Sequence, residues 1–187
     1  AFLGRDVSFS FSSAYTETDE FNSQFDTERA TFRPGLTFPV NERAALTLYY
    51  SASYSDMDNH TGASPPLNFE TRLDGQSASA VGYNYRLDTR DAGLNREAGI
   101  LLDTGIEVAG LGGDQENVKS SLKLVGETRV LNDAVKLRGI FDTGAIEEFN
   151  DTRLRAVDRF SQQVMRGFEA NGMGPVQNGE HLGGKAY

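Results

Sequence analysis

Hydrophobicity along this chain alternates with a period of two over most of residues 1–145. In the first such run, Val7, Phe9 and Phe11 alternate with Ser8 and Ser10. Successive side chains of a β-strand point to opposite faces, so this spacing gives the segment one apolar and one polar face. Further runs of the same kind lie at 31–40, 46–55, 81–88, 100–108, 118–130 and 135–142. The pattern therefore predicts about seven antiparallel strands.

The predicted strands are long, and their second face is charged. Each run has about ten residues or more, whereas strands of globular proteins typically have about five or six. Asp103 and Glu107, for example, belong to one face of a predicted strand, and Ile106 and Val108 belong to its other face. A charged face suits a water-filled lumen, while the apolar face suits lipid. The predicted fold class is all-β: an antiparallel transmembrane β-barrel segment.

The links between the predicted strands differ in length. Asn41–Arg43 and Leu131–Asp133 are predicted to be tight turns, and Thr89–Asn95 is a link of intermediate length. Thr16–Thr27 and Asp56–Gln76 are long and polar. Long and short links broadly alternate, as expected when short turns face the periplasm and long loops face outside.

Composition excludes several kinds of function. Cysteine is absent and there are only two histidines, which argues against disulfides, thiolate chemistry and a histidine metal cluster. The net charge of -9 argues against a nucleic-acid partner, because phosphates demand clustered Lys and Arg. Gly110–Gly113 lacks the Lys and the Ser or Thr of a phosphate loop, and we predict a hairpin turn there. We expect neither an enzyme nor a bound cofactor or metal.

The sequence has no apolar run of about 18 residues, so no transmembrane helix is predicted. This leaves a membrane location open, because a barrel strand shows lipid only every second residue and its mean hydropathy stays low. The first residues lack the basic start and long apolar core of a signal peptide, and they do not begin with Met. We therefore interpret the chain as a piece of a longer protein.

After about Ala145 the alternation is lost, and short motifs follow that contain glycine or aromatic residues. They are Asp158-Arg159-Phe160, Arg166-Gly167-Phe168-Glu169, Gly172-Met173-Gly174-Pro175 and Leu182-Gly183-Gly184. In order and spacing they resemble the sixth extracellular loop of the BamA family, the central barrels of the bacterial β-barrel assembly machinery. Met165, Ser161–Gln163 and Lys185 depart from the family pattern. These departures leave open the branch of the superfamily, because the assembly factor TamA and the two-partner secretion transporters carry related loops.

The resemblance implies one partial barrel domain over residues 1–187, lacking both ends of the barrel and ending just after the sixth loop. About seven of its sixteen strands would lie at 1–145, a long lumen-directed loop at 146–181, and the start of the next strand at 182–187. Loop docking is assigned by resemblance to Arg166, Gly167, Phe168 and Glu169. Loop support is assigned to Gly172, Gly174, Pro175, Gly183 and Gly184.

In the BamA family the loop arginine docks against acidic residues on the inner wall of the barrel. The usual acidic partners belong to strands that would follow Tyr187. Secondary partners for Arg166 within this chain are carboxylates predicted to face the lumen. They are Asp103, Glu107, Glu127 and Asp142.

The function implied by resemblance is that of the central component of a machine in the bacterial cell outer membrane. It would fold and insert β-barrel proteins by lateral opening of a seam and local bilayer thinning. The implied partners are unfolded outer-membrane protein clients, outer-membrane lipids and accessory lipoproteins. Three alternatives stay open: a related two-partner secretion or translocation barrel, a passive porin-like channel, and a soluble β-sandwich whose alternation reflects a one-sided core.

Overall fold

The computed structural model describes residues 6–18, 25–59, 74–90, 98–132, 134–150, 154–155, 158–160, 174, 176–177, 180–181 and 183–187. Seven antiparallel strands form one sheet in sequence order. They are β1 (Ser8–Thr18), β2 (Phe25–Asn41), β3 (Ala44–Asn59), β4 (Gln76–Asp88), β5 (Ala98–Gly113), β6 (Asn117–Val130) and β7 (Val135–Glu148). A separate short hairpin pairs β8 (Val176–Gln177) with β9 (Glu180–His181). Among the described residues, no helix is long and apolar enough to cross a membrane.

The register of the sheet keeps apolar residues opposite apolar residues on one face. Phe9 lies opposite Leu36, Leu36 opposite Leu48, and Leu48 opposite Tyr83. All four are exposed, and Phe9 is 68% exposed. A continuous exposed apolar face of this extent is typical of strands that contact lipid. The predicted all-β fold, with one apolar and one polar face, is confirmed.

Strand length also fits a membrane. β1 has 11 residues and β2 has 17. A tilted strand of about 9 to 11 residues crosses the hydrocarbon core of a bilayer. The strands are therefore long enough to span a bilayer, and the longer ones extend beyond it.

The two predicted tight turns are present, while the loops at the other end are shorter than predicted. Between β2 and β3, the Arg43 N–H donates to Asn41 Oδ1 at 2.8 Å. Between β6 and β7, Leu131 and Asn132 have φ of 55° and 53°, the left-handed values of a tight hairpin turn. At the other end, β1 continues to Thr18 and β3 to Asn59, because the backbone ladder persists where the apolar alternation has stopped.

The predicted hairpin turn at Gly110–Gly113 is wrong, since these residues end β5 and the turn follows at 114–116. The reason lies in the backbone: Gly110, Gly112 and Gly113 have φ of 139°, 145° and 96°. Glycine adopts such values without strain, which allows the strand to continue through the register shift opposite β4. Asp114 then ends the strand, because its Oδ2 accepts from the N–H and Oγ–H of Ser77 at 2.9 and 3.0 Å.

Candidate functional site on the polar face of the sheet

The polar face of the sheet carries a network that joins β2 to β5. Arg33 donates from Nη2 to Glu107 Oε2 at 2.8 Å, and its guanidinium lies 4.4 Å from the ring centroid of Tyr49. The Tyr49 ring lies across β4 at Gly82, where a Cβ would stand 2.6 Å from the tyrosine hydroxyl oxygen. Gly82 therefore leaves the space that the ring occupies. Arg33, Tyr49 and Glu107 also line a polar cavity of about 430 Å³.

The four carboxylates considered as secondary partners of Arg166 each face a cation of another strand, which is the adjacent strand in every pair except Glu107 with Arg33. The pairs are Asp103 with Arg86 at 3.5 Å, Glu107 with Arg33 at 2.8 Å, Glu127 with Lys136 at 2.9 Å and Asp142 with Lys123 at 3.2 Å. Docking of Arg166 on any of them would share a carboxylate that already has a partner. Arg166 lies outside the described residues, so its docking stays a prediction.

The first described part of the long loop packs onto the sheet. The Asp158 side chain is only 7% exposed; its Oδ2 accepts from Gln115 Nε2 at 2.5 Å, and its Oδ1 lies 3.7 Å from Arg29 Nη2. Burial raises the pKa of this carboxyl, while the attraction of Arg29 and the hydrogen bond from Gln115 oppose the rise. Leu154 and Arg155, just before it, are also buried. The loop thus begins against the polar face.

Phe160 links this part of the loop to the end of the chain. Its N–H donates to the Gly184 carbonyl at 3.0 Å, and the Gly184 N–H donates to the Phe160 carbonyl at 2.9 Å. The ring packs edge-on against Tyr187, with centroids 4.8 Å apart and planes at 75°. Lys119 Nζ lies 5.4 Å from the centroid of the Phe160 ring. Phe160 therefore joins the described start of the loop to residues 184–187.

The last residues of the chain pair with the outer edge of β7. Ile146 N–H donates to the Lys185 carbonyl at 2.7 Å, and Tyr187 N–H donates to the Gly144 carbonyl at 3.0 Å. The Lys185 ammonium pairs with the Glu148 carboxylate. Residues 185–187 thus continue the antiparallel order of the sheet beyond β7.

Of the residues assigned by resemblance, the structure describes three glycines. Gly174 and Gly183 have φ of 90° and 75°, and Gly183 and Gly184 are buried. Their role as loop supports stays a prediction. The other assigned residues lie outside the described part of the chain: Arg166, Gly167, Phe168, Glu169, Gly172 and Pro175.

Sequence reasoning missed the residues that hold the described part of the loop. Asp158 and Phe160 belong to a motif noted for its resemblance, but no role was predicted for either residue. Lys119 lies at a polar position of the predicted alternation, which predicts its face and not its partner, whereas Arg29 lies before the predicted run at 31–40. The signal in the sequence was the Asp158-Arg159-Phe160 motif itself, because burial of its acid is visible only in the structure.

A sheet that follows the chain strand by strand, with an exposed apolar face and a charged face on which its own loop packs, is a segment of a transmembrane β-barrel wall. A family model described as the Omp85 superfamily domain matches residues 1–187. The chain belongs to the Omp85 superfamily, and it is an outer-membrane β-barrel segment. This confirms the resemblance drawn from the loop motifs.

Curated relatives agree with this assignment. The chain is 27% identical to the outer membrane protein assembly factor BamA of Neorickettsia risticii over 154 residues, which cover 81% of the chain and 21% of that protein. It is 28% and 29% identical to the sorting and assembly machinery component 50 homologs of Bos taurus and Homo sapiens, over 58% of the chain and 24% of each relative. The chain thus spans about a fifth to a quarter of the length of these relatives.

Proposed function

We propose that the protein containing this chain is the central barrel of the machinery that folds and inserts β-barrel proteins into the bacterial outer membrane. The observation that supports this most is the loop after β7, which packs onto the polar face through Asp158 and, through Phe160, pairs with Gly184 at the start of the return strand (residues 184–187, of which 185–187 pair with β7). The loop is thus fixed to the sheet at residues that precede and follow the Arg-Gly-Phe motif in the sequence. Relatives named for assembly, BamA and sorting and assembly machinery component 50, support the same proposal.

The proposed mechanism involves no covalent chemistry. The first and last strands of the complete barrel meet in a weak seam that opens sideways, and a client strand pairs with the exposed edge. The barrel thins the nearby bilayer, which lowers the barrier to insertion. In this proposal the present segment supplies a rigid part of the wall and the loop that braces it. The Arg33–Tyr49–Glu107 network lies on this part of the wall, with residues from β2, β3 and β5.

The proposed partners follow from the two faces. Lipids of the outer membrane would contact the exposed apolar side chains, such as Phe11 and Tyr50. Unfolded outer-membrane proteins would be the clients, and accessory lipoproteins would bind elsewhere on the complete protein.

The test uses the full reading frame that contains this chain, in a cell depleted of the wild-type protein. Arg166→Ala should lower the level of several outer-membrane β-barrel proteins and slow growth, because the loop loses its charged contact. Arg129→Ala is the matched control, since Arg129 lies near the turn end of β6, opposite to the end that carries Lys119. Normal levels and growth with Arg166→Ala would contradict the proposal. Ion conductance of the purified protein, with no effect of depletion on barrel biogenesis, would instead favour a porin-like channel.

A further inference from the structure

We propose that Asp158 and Phe160 form a second docking point of the loop, held by Arg29, Gln115 and Lys119 independently of Arg166. The inference deepens the proposed function and rests on it, because it assumes that the loop acts from inside the barrel. The charges are arranged in the opposite sense to those of the arginine contact that the family resemblance implies. Here the loop supplies the acid and the wall supplies the cations.

The first step is the burial of the acid. A carboxylate whose side chain is 7% exposed needs compensating donors, because an isolated charge loses its hydration when it is buried. Gln115 supplies a hydrogen bond at 2.5 Å and Arg29 a charge at 3.7 Å. Arg155 and Lys119 add further positive potential at the carboxyl. Asp158 is therefore surrounded by partners from several elements and is not a solvated loop residue.

The second step is the distance that the contact spans within the sheet. Arg29 lies on β2 and Lys119 on β6, with β3, β4 and β5 between them. Neighbouring strands lie about 4.8 Å apart, so these two strands would be about 19 Å apart in a flat sheet. Asp158 lies 3.7 Å from Arg29, and the ring of Phe160 lies 5.4 Å from the Lys119 ammonium, so the docking point connects β2 with β6. Ser12 of β1 and Lys119 of β6 line the same polar cavity, which shows that the sheet is curved around this face.

The third step is the closure of the loop at its base. Phe160 exchanges two backbone hydrogen bonds with Gly184, and its ring contacts Tyr187 on the return strand. Phe160 and Gly184, which flank residues 161–183 in the sequence, are therefore fixed to each other and, through Asp158 and Tyr187, to the sheet. A motif within a closed stretch meets the wall at a higher effective concentration than a motif on a free loop. Asp158 and Phe160 are accordingly positioning residues for Arg166.

The test measures protease cleavage within residues 161–173 in the full, folded protein in detergent, so it needs no assembly assay. Asp158→Lys places a cation beside Arg29, and it should accelerate cleavage on the order of tenfold, since cleavage follows the population of the undocked loop. Glu147→Lys is the matched control, because Glu147 is an exposed carboxylate on β7 and makes the same change in charge. Adding Arg29→Glu to Asp158→Lys should restore slower cleavage. A merely structural role for Asp158 would not produce that rescue.

The same measurement in an Arg166→Ala background separates the two docking points. Asp158→Lys should accelerate cleavage there as well, on top of the effect of Arg166→Ala. If Asp158→Lys prevents folding, judged by the heat-dependent gel mobility of the barrel, Phe160→Leu against Phe149→Leu replaces it and should give faster cleavage for Phe160→Leu alone. Equal cleavage in variant and control, or acceleration that Arg29→Glu leaves unchanged, would overturn the proposal. Normal docking with failed client assembly would instead count against the proposed function.

Discussion

Gly174 and Gly183 contact each other through their backbones: a Cβ on Gly174 would stand 2.3 Å from both the carbonyl carbon and the carbonyl oxygen of Gly183. Both residues have positive φ, which glycine adopts more readily than any other residue. The contact brings together two motifs that are separate in sequence, one before and one after the β8–β9 hairpin. It adds a second fixed contact near the base of the loop.

Gly174→Ala should therefore loosen the loop. The added methyl has no room against the backbone of Gly183, and the positive φ adds strain, together of about 1–3 kcal/mol. Protease cleavage of residues 161–173 in the folded protein measures the effect. Gly139→Ala is the control, because a Cβ at Gly139 meets nothing within 4 Å. Equal cleavage of the two variants would contradict the contact.

Ala145→Cys together with Ala186→Cys should form a disulfide. The two alanines face each other in an antiparallel bridge, and the flanking Gly144 N–H donates to the Tyr187 carbonyl at 3.3 Å. Such a non-hydrogen-bonded pair has Cα atoms about 4.5 Å apart, within the range that a disulfide spans. Residues 1–187 contain no other cysteine, so a shift in gel mobility after mild oxidation that is absent from both single-cysteine variants reports this bond.

Ala145→Cys with Lys185→Cys is the matched control for that experiment, because neighbouring residues of a strand point to opposite faces. It should remain largely reduced under the same conditions. A disulfide in the control and none in the Ala186→Cys pair would mean that the return strand pairs with β7 in another register.

The Arg33–Glu107 pair should contribute little to stability. The side chains are 48% and 22% exposed, so water screens the attraction in spite of the 2.8 Å distance. A double-mutant cycle with Arg33→Gln and Glu107→Gln, measured by urea unfolding of the barrel in lipid vesicles, should give a coupling of about 0.2–1 kcal/mol that decreases with salt. A coupling well above that range, insensitive to salt, would show that the pair is shielded from water in the complete barrel.

Docking of the loop should tighten as the pH falls. Burial raises the pKa of Asp158 above its ordinary value of 3.8, against the smaller opposing effects of Arg29, Gln115, Arg155 and Lys119. Between the ordinary and the raised pKa the docked loop binds more protons than the undocked loop. The free energy of docking therefore becomes less favourable as pH rises through that window, and the loss is complete above the raised pKa.

Loop cleavage measured from about pH 4 to pH 7 checks this, with Asp158→Asn as the control that cannot titrate at this position. Wild type should lose protection relative to Asp158→Asn as the pH rises. The pKa of Asp114 is lowered by its hydrogen bonds from Ser77, which gives the opposite dependence, but this contribution is common to both proteins and cancels in the comparison. A ratio of cleavage rates that stays constant with pH would contradict the assignment.

The strands could be predicted from sequence because lipid and water impose opposite demands on alternate residues. Phe9, Leu36 and Leu48 satisfied that rule and lie where it predicted. Strand ends could not be predicted as well, because a backbone ladder continues through polar residues such as Arg29 opposite Ser55. Gly112 was misinterpreted for a related reason, since glycine serves an irregular strand as readily as a turn.

The candidate site was predictable only in part. The loop motifs indicated which stretch of the chain matters, because their spacing resembles a known family. The contact between Asp158 and Arg29 depends on the curvature of the whole sheet, which no local pattern contains. The close approach of Gly174 to Gly183 likewise depends on how two parts of the loop fold against each other. Assignment of Arg166 to a particular acid still rests on the family resemblance.

Each strand of the main sheet pairs with its neighbours in sequence, so most of the wall consists of hairpins with short-range contacts. Such contacts form early in folding, because little loop entropy opposes them. The approach of Asp158 to Arg29 has a far larger sequence separation and, together with the contact of Phe160 with Lys119, requires both β2 and β6 to be in place in a curved sheet. It therefore forms late and marks the stage at which the wall has acquired its final curvature. The loop that is proposed to help other barrels fold would thus take its own place only after its own wall is complete.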